Sequence, residues 1–324
     1  MKNIVNTVLG PINNNMMGRT LMHEHLIFGY PGFCGDISLG KSKETLVEEA
    51  VKKAMEVKKL GIETIIDATP NDCGRDPELL KEISEKAELN IICTTGYYSE
   101  SLGANTYFNF RKDLGYSIDE EIYEMMMNEL ENGIGNSGIK PGVIKVASSK
   151  NKITEYEQAF FKAAARAQKD SNTVIITHTE EGTMGPEQAK LLVESGGIKD
   201  KIVIGHMCGN RDFSYHLKVL SQGVYDAFDR YGEENFFGSP TDMERIELMR
   251  RIIDSGYQDK LLMSQDTVNV FLGREVEFKG EFEAENQIVM TRISKVLNPM
   301  MLEMGIFQEV IDQIQVKNIA RLFA

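Results

Sequence analysis

The chain has 324 residues, 36 Lys and Arg against 49 Asp and Glu, a formal net charge of -13, 42% hydrophobic residues and five histidines. That much apolar sequence can bury a core, which excludes a wholly disordered chain, and the acidic balance without any Lys/Arg run excludes nucleic acid and anionic membrane surfaces as expected partners. The opening MKNIVNTVLGPINNN lacks the apolar core of a signal peptide, no window approaches a membrane span, and Cys34, Cys73, Cys93 and Cys208 form no C-x-x-C pair, so free thiols and a cytoplasmic location are expected.

In chain order, short apolar runs alternate with helical patterns. After the first run, RTLMHEH at 19–25, the segment ETLVEEAVKKAMEVKKLG places Leu46, Ala50, Val51, Ala54, Val57 and Leu60 at helical spacing before a stop at Gly61. ETIIDAT at 63–69 leads to PELLKEISEKA, with Pro77 at a helix start. NIICTTG at 90–96 leads, after an irregular stretch over 97–117, to DEEIYEMMMNELENG, which ends at Gly133. GVIKVAS at 142–148 precedes TEYEQAFFKAAARAQK, where Thr154 and Glu157 make a capping-box pattern. TVIITHT at 173–179, KIVIGHM at 201–207 and VYDAFD at 224–229 follow, and then TDMERIELMRRIIDSG, with acids first and arginines later as the helix dipole favours. The last run, KLLMSQD at 260–266, opens a second irregular stretch over 267–282.

Continuous apolar runs suit strands buried on both faces of a parallel sheet. Eight strand–helix units without a low-complexity linker predict a single α/β domain over 1–324, a (β/α)8 TIM barrel behind a short N-terminal extension of about twenty residues. The irregular stretches follow strands three and eight, on the side of a barrel where substrate selection resides.

Four of the five histidines fall at the carboxyl ends of these strands: His23 and His25 on the first, His178 on the fifth and His206 on the sixth. Residues i and i+2 of a strand share a face, so His23 and His25 can aim at one cation, and Asp266 closes the eighth strand at the same end. Imidazole and carboxylate donors suit Zn, Mn, Co or Fe. One such histidine alone reads as a hydrogen-bonded strand end; four on one barrel face read as a metal site. His216, inside DFSYHLKVL, is expected to be a solvated helix residue. Lys145 lies between Ile144 and Val146 in an apolar strand, where an unpaired ammonium is costly and its pKa falls. Its neutral amine could react with carbon dioxide to give a carbamate that bridges two cations; a lysine paired with an acid, or snorkelling from the strand end, is the plainer alternative.

His23-x-His25, Lys145, His178, His206 and Asp266, in this order on strands one, four, five, six and eight, resemble the binuclear metal site of the amidohydrolase superfamily. GRTLMHEHL, CTTGYY, IITHT, IVIGH, DRYG and the terminal NIARLF are similar to segments of its phosphotriesterase family, across nearly the whole chain. The resemblance implies two divalent metal ions, zinc first. His23, His25 and Asp266 would hold one, His178 and His206 the other, with carbamylated Lys145 and a hydroxide bridging them. It also makes a homodimer plausible. Tyr98, in Thr95-Gly-Tyr-Tyr98, and Arg230, in Asp229-Arg230-Tyr231-Gly232, match pocket residues of the lactonase branch; a rim-packed Tyr and an Arg paired with Asp229 are their plain readings. The chain departs from the family at Met207–Asp212, at Thr267–Phe271 and at Gly29–Gly35, which bears on the substrate rather than the metals.

The implied function is a hydrolase that opens a lactone, with the bridging hydroxide attacking the carbonyl and Asp266 passing its proton to the leaving alkoxide. Tyr98 would orient the carbonyl, and Arg230 the leaving group. Arg211, Arg230 and Arg274 could together receive a phosphate or carboxylate on a sugar lactone, since guanidinium forks suit such groups; surface salt bridges would explain them equally well. Phosphotriester or other ester hydrolysis at the same metals is the alternative enzyme reading, and a barrel that binds a ligand without catalysis the alternative class. A glycosidase would need two barrel-top carboxylates free of metal, and no G-x-G-x-x-G after the first strand supports an NAD enzyme.

Overall fold

An antiparallel hairpin, β1 (Ile4–Thr7) and β2 (Gly10–Asn13), begins the computed structural model, which describes residues 3–103, 106–234, 238–276 and 288–324. The hairpin was not foreseen; the expected N-terminal extension of about twenty residues had no elements assigned to it. Its turn donates Val8 N–H to the Ile91 carbonyl at 2.9 Å. Val5 joins the barrel-interior side chains with Met17, Leu322 and Phe323, so both ends of the chain plug the core.

The parallel strands follow in the expected order: β3 (Thr20–Glu24), β4 (Thr64–Asp67), β5 (Asn90–Ile92), β6 (Thr94–Gly96), β7 (Val143–Ser148), β8 (Val174–Thr179), β9 (Ile202–Ile204), β10 (Tyr225–Phe228) and β11 (Leu261–Met263). β5 and β6 are one predicted run interrupted at Cys93. β3-β4-β5 form one sheet segment and β6 through β11 the other, in sequence order. The cylinder closes where β3 meets the chain just after β11. Asp266 N–H donates to the His23 carbonyl at 3.1 Å, His25 N–H to that of Thr267 at 2.9 Å, and Asn269 N–H to that of His25 at 2.9 Å. The fold is a (β/α)8 barrel, and its closing seam runs through three of the predicted ligands.

Several surrounding helices begin or end on the expected signals. α1 (Lys43–Lys58) is capped by Ser42 and buries Leu46, Val47, Ala50, Ala54 and Val57, so Val47 takes the inward place expected for Val51. α2 (Pro77–Ala87) starts on proline, and the 97–117 stretch holds a short helix, α3 (Thr106–Asp113), before α4 (Ile118–Asn132) ends at Gly133. α5 (Glu155–Ser171) has the full Thr154–Glu157 capping box. α6 (Gly185–Glu194) and α7 (Phe213–Leu220) follow, and α8 (Asp242–Asp254) carries a second capping box at Thr241 and Glu244. The end of the expected 267–282 loop, from residue 277, lies outside the described residues.

Strand alternation sorts the layers. Val143, Val174, Ile176, Val203, Ala227 and Leu262 fill the barrel interior, while Ile144, Val146, Ile175 and Ile202 pack under the helices. Lys145 therefore stands one layer above Val143, and His178 one layer above Ile176, on the inner face. Asp226 falls on the outward face, buried between sheet and helix, where a carboxyl needs a partner.

That partner is His216, which corrects its expected solvated state: the ring is fully buried. Its Nδ1 lies 2.7 Å from Asp226 Oδ2, and its Nε2 donates to the Asn210 carbonyl at 2.9 Å. Burial works to lower the imidazole pKa, but the Asp226 charge outweighs it and the net direction is up. A helix position reads as solvated only if nothing across from it is charged, and the strand carboxylate was the missing information. His216→Ala should strand Asp226 without a partner and cost about 3–5 kcal/mol. Urea denaturation of the two proteins should show it as a lower midpoint at unchanged slope.

Candidate metal centre

At the carboxyl end of the barrel the six predicted ligand residues converge. Asp266 Oδ1 lies 3.1 Å from His25 Nε2 and 3.6 Å from His23 Nε2, while Oδ2 lies 3.6 Å from His206 Nε2 and 2.9 Å from Arg230 Nε. Donor atoms of His23, His206 and Asp266 fall within 4.8 Å of one another. Lys145 Nζ is 2.6 Å from His23 Nε2, and the His178 ring centre is 4.6 Å from that of His206. Asp266 thus presents one oxygen to His23 and His25 and the other toward His206.

Local backbone irregularities aim these groups. The β3–β4 register slips between Leu21 and Glu24, a bulge that lets Met22 fill the barrel interior and His23 still reach the site. On β9, Val203 faces inward, so strict alternation would send Gly205 inward instead of His206. A left-handed φ of +58° at His206 breaks the alternation, and Asp266 adopts a φ of +53°. Such strain at non-glycine residues persists only where surrounding structure enforces it. Gly205 permits the approach, since a Cβ there would meet the Thr177 carbonyl oxygen at 2.1 Å.

A second layer of groups orients the first. Asp229 Oδ2 accepts from His23 Nδ1 at 2.8 Å, and its Oδ1 accepts from His206 Nδ1 at 3.0 Å and from His206 N–H at 2.6 Å. With both Nδ1 atoms tied to one carboxylate, each ring turns a bare Nε2 toward the site. Thr69 Oγ1 engages His25 Nδ1 at 2.8 Å, and Asp67 accepts from Leu26 N–H at 2.8 Å and from Thr69 N–H at 3.1 Å. His178 is reversed: Glu180 takes its Nε2 at 2.9 Å, leaving Nδ1 as the donor atom. None of Asp67, Thr69, Asp229 or Glu180 was given a ligand-orienting role from sequence, Asp229 being read only as a plain partner for Arg230. Asp229 had a readable signal, for it lies two residues after inward-facing Ala227.

The electrostatics suit a cation. Burial, reinforced by the Lys145 charge, holds His23 down at about 4, and burial likewise lowers His178 and His206, so these rings are neutral bases at neutral pH. Burial opposes charge on Asp266, but His206, His23 and Arg230 prevail and keep its carboxyl well below the ordinary range. Burial pulls Lys145 down to about 8, against the raising effect of Asp266 and Asp229. His206 Nε2 is buried without a hydrogen-bond partner. A bare imidazole nitrogen facing a carboxylate oxygen is an arrangement that a divalent cation satisfies and water-free protein does not. The donor set fits the implied metals.

Above the ligands lies a cavity of about 490 Å³. His25, Lys145, His178 and Asp266 form its floor, and Phe28, Tyr30, Tyr98, Val268, Phe271 and Met290 its walls. The Tyr98 ring stands 5.0 Å from His178, and burial holds its phenol well above the ordinary value, so the hydroxyl remains a donor. Arg230 reaches the cavity too, paired with Asp266 rather than with Asp229. Arg211 and Arg274 do not line it. Both are exposed, Arg211 against Glu244 at 3.4 Å and Arg274 against Asp36 at 2.6 Å. The expected three-arginine anion site is corrected to one arginine: on an acidic surface each outer guanidinium finds a nearby carboxylate.

Residues 3–323 match the phosphotriesterase family. The organophosphorus hydrolase from Deinococcus radiodurans matches with a TM-score of 0.97 at 44% identity, over 100% of this chain and 97% of that one. A multiply substituted PTE-like lactonase from the same organism matches with a TM-score of 0.95 at 43% identity, over 99% and 100% of the two chains. The aryldialkylphosphatase of Saccharolobus solfataricus is 29% identical over 317 residues, 97% of each chain.

Asp229→Asn must set an amide NH2 against one of its two histidines. It should weaken zinc binding about 10–100-fold, as measured by competition with a chromophoric chelator. Arg211→Ala and Arg274→Ala should leave kcat/KM within about twofold of wild type, as expected for exposed ion pairs.

Proposed function

Because the chain belongs to the phosphotriesterase family, we propose that it is a metal-dependent hydrolase that opens a lactone, the ring of a sugar lactone included. The observation that carries this reading is the convergence of His23, His25, Lys145, His178, His206 and Asp266 beneath a cavity walled by Tyr98 and Arg230. The similarity to a PTE-like lactonase supports the substrate class. The similarity to an organophosphorus hydrolase supports phosphotriester hydrolysis at the same residues as the second reading.

Two divalent cations fit these donors, zinc first, with manganese, cobalt or iron suited by ligand type. His23, His25 and Asp266 would hold one and His178 and His206 the other. Lys145 would lie between them as a carbamate, formed when its neutral amine adds to carbon dioxide and releases one proton. When bound, the cations would supply Lewis acidity to the substrate oxygen and acidify water.

The side chains do the rest. The Tyr98 hydroxyl donates toward the carbonyl oxygen and steadies the negative charge that develops there. Asp266, poised as a carboxylate, accepts the proton of the attacking water. As the ring C–O bond breaks, it returns that proton to the leaving alkoxide. Arg230, hydrogen-bonded to Asp266 Oδ2 at 2.9 Å, shapes the leaving-group side and restrains that carboxylate. Phe28, Tyr30 and Phe271 line part of the cavity, beside the charged Lys41, Glu56 and Glu275. A cytoplasmic location accords with four free cysteines and with no helix among the described residues being long and apolar enough to cross a membrane.

A panel of γ- and δ-lactones, sugar lactones and aryl phosphotriesters on zinc-reconstituted protein tests the ordering. The best lactone should exceed every phosphotriester in kcat/KM, and the reverse order would install the second reading. Lys145→Ala should bind fewer than the about two divalent ions per chain expected of a binuclear site and turn over more slowly, with partial recovery on adding a short-chain carboxylate. Full metal content and activity in that variant would remove the carbamate.

A further inference from the structure

The acid between His23 and His25 has no part in the chemistry above. Glu24 is fully buried. All four of its donors are neutral and lie on the segment that carries Asp266. Ser264 Oγ at 2.6 Å, Gln265 N–H at 3.0 Å and Gln265 Nε2 at 2.9 Å donate to Oε1, and Thr267 N–H at 3.0 Å donates to Oε2. The two backbone donors are the amides on either side of Asp266, one on each carboxylate oxygen. Between them Asp266 adopts its left-handed φ of +53°, a conformation disfavoured for any residue with a Cβ. The anchoring runs deeper, because Gln265 Oε1 accepts from Ile293 N–H at 2.8 Å.

A peptide turn held by two amides on one buried carboxylate has little freedom to rotate. Without that carboxylate the φ of Asp266 could relax toward the right-handed region, and its side chain would swing away from His23, His25 and His206. We propose that Glu24 is a positioning residue for Asp266: by accepting from both flanking amides it holds the strained turn that aims the Asp266 carboxylate at the histidines, and so sets how tightly the cation that Asp266 would hold with His23 and His25 is bound. This rests on the metal-site reading above. It assigns Glu24 no contact with substrate or cation. It also gives a function to the acid in His23-Glu24-His25, which otherwise counts only as a spacer.

Glu24→Gln is the discriminating substitution, since either orientation of its amide sets an NH2 group against one of the two flanking N–H donors. Full-length metal-free protein would be titrated with cobalt(II), following the visible absorption of the bound ion and competition with a chromophoric chelator, at a pH above neutrality. Glu24→Gln should bind one of its two cobalt ions, the one that Asp266 would hold with His23 and His25, about 10–100-fold less tightly, with altered visible bands. In an Asp266→Asn background the same substitution should change cobalt affinity by less than about twofold, because the group that Glu24 positions is already gone.

A merely structural staple would lower affinity equally in both backgrounds, and that result would overturn the proposal, as would cobalt binding by Glu24→Gln indistinguishable from wild type. If Glu24→Gln does not fold, Gln265→Met carries the same test. It removes one donor to Glu24 at nearly constant shape and should weaken cobalt binding in the Asp266 background alone. Wild-type protein that takes up no cobalt would overturn the metal reading and this inference with it, whereas uptake by wild type with an unchanged variant overturns the inference alone.

Discussion

The barrel closes along one seam, and the reactive groups are part of it. β3 does not pair with β11 as an extended ladder; it meets the segment just beyond, through the backbone bonds of His23, His25, Asp266, Thr267 and Asn269. The same few residues must therefore satisfy their main-chain polar groups and present side chains inward. Two devices reconcile these demands, the bulge in β3 and the left-handed backbone at Asp266. Closure and ligand placement are a single structural problem, so the buried acids of the seam serve both.

Three buried acids around the centre have divided roles. Asp229 binds two histidines from different strands, Asp67 fixes the backbone beyond His25, and Glu24 gathers the amides around Asp266. Each accepts bonds from groups that would otherwise turn away from the centre. Burying three carboxylates is costly, and it is tolerated because every one is answered by several donors. The consequence is a set of neutral imidazoles with their basic nitrogens already aimed, which reduces the reorganisation that cation binding would require. The excess of acidic residues across the chain sits easily with this, because surface arginines such as Arg211 and Arg274 are drawn to nearby carboxylates and leave Arg230 as the guanidinium of the cavity.

Much of the fold was legible because burial on both faces leaves a continuous apolar run, and each such run became a strand of the barrel. Lys145 was legible for the same reason. A lysine two places after Val143 in such a strand can only point into the barrel top or be wrong for the fold. Helix starts were readable from local chemistry, as at Thr154, since a cap involves residues only three apart. The N-terminal hairpin was missed because its strands are four residues long and its stability comes from contacts with Ile91 and Pro141, far away in sequence.

The sequence by itself determined the kinds of group at the centre and the end of the barrel they occupy, because the order of strands is a local property summed along the chain. It placed His23, His25, Lys145, His178, His206 and Asp266 at one end of a barrel without reference to any contact between them. Only the tertiary structure decided how they face one another. His206 needs a left-handed backbone to turn inward, His178 and His206 offer different ring nitrogens, and Asp266 is divided between two sets of histidines. His216 changed from an expected surface residue to a buried partner of Asp226, and the three arginines separated. The physical reason is common to all of these: a buried polar group takes its orientation and charge from whichever partner stands across from it, and in a closed barrel that partner is usually distant in sequence.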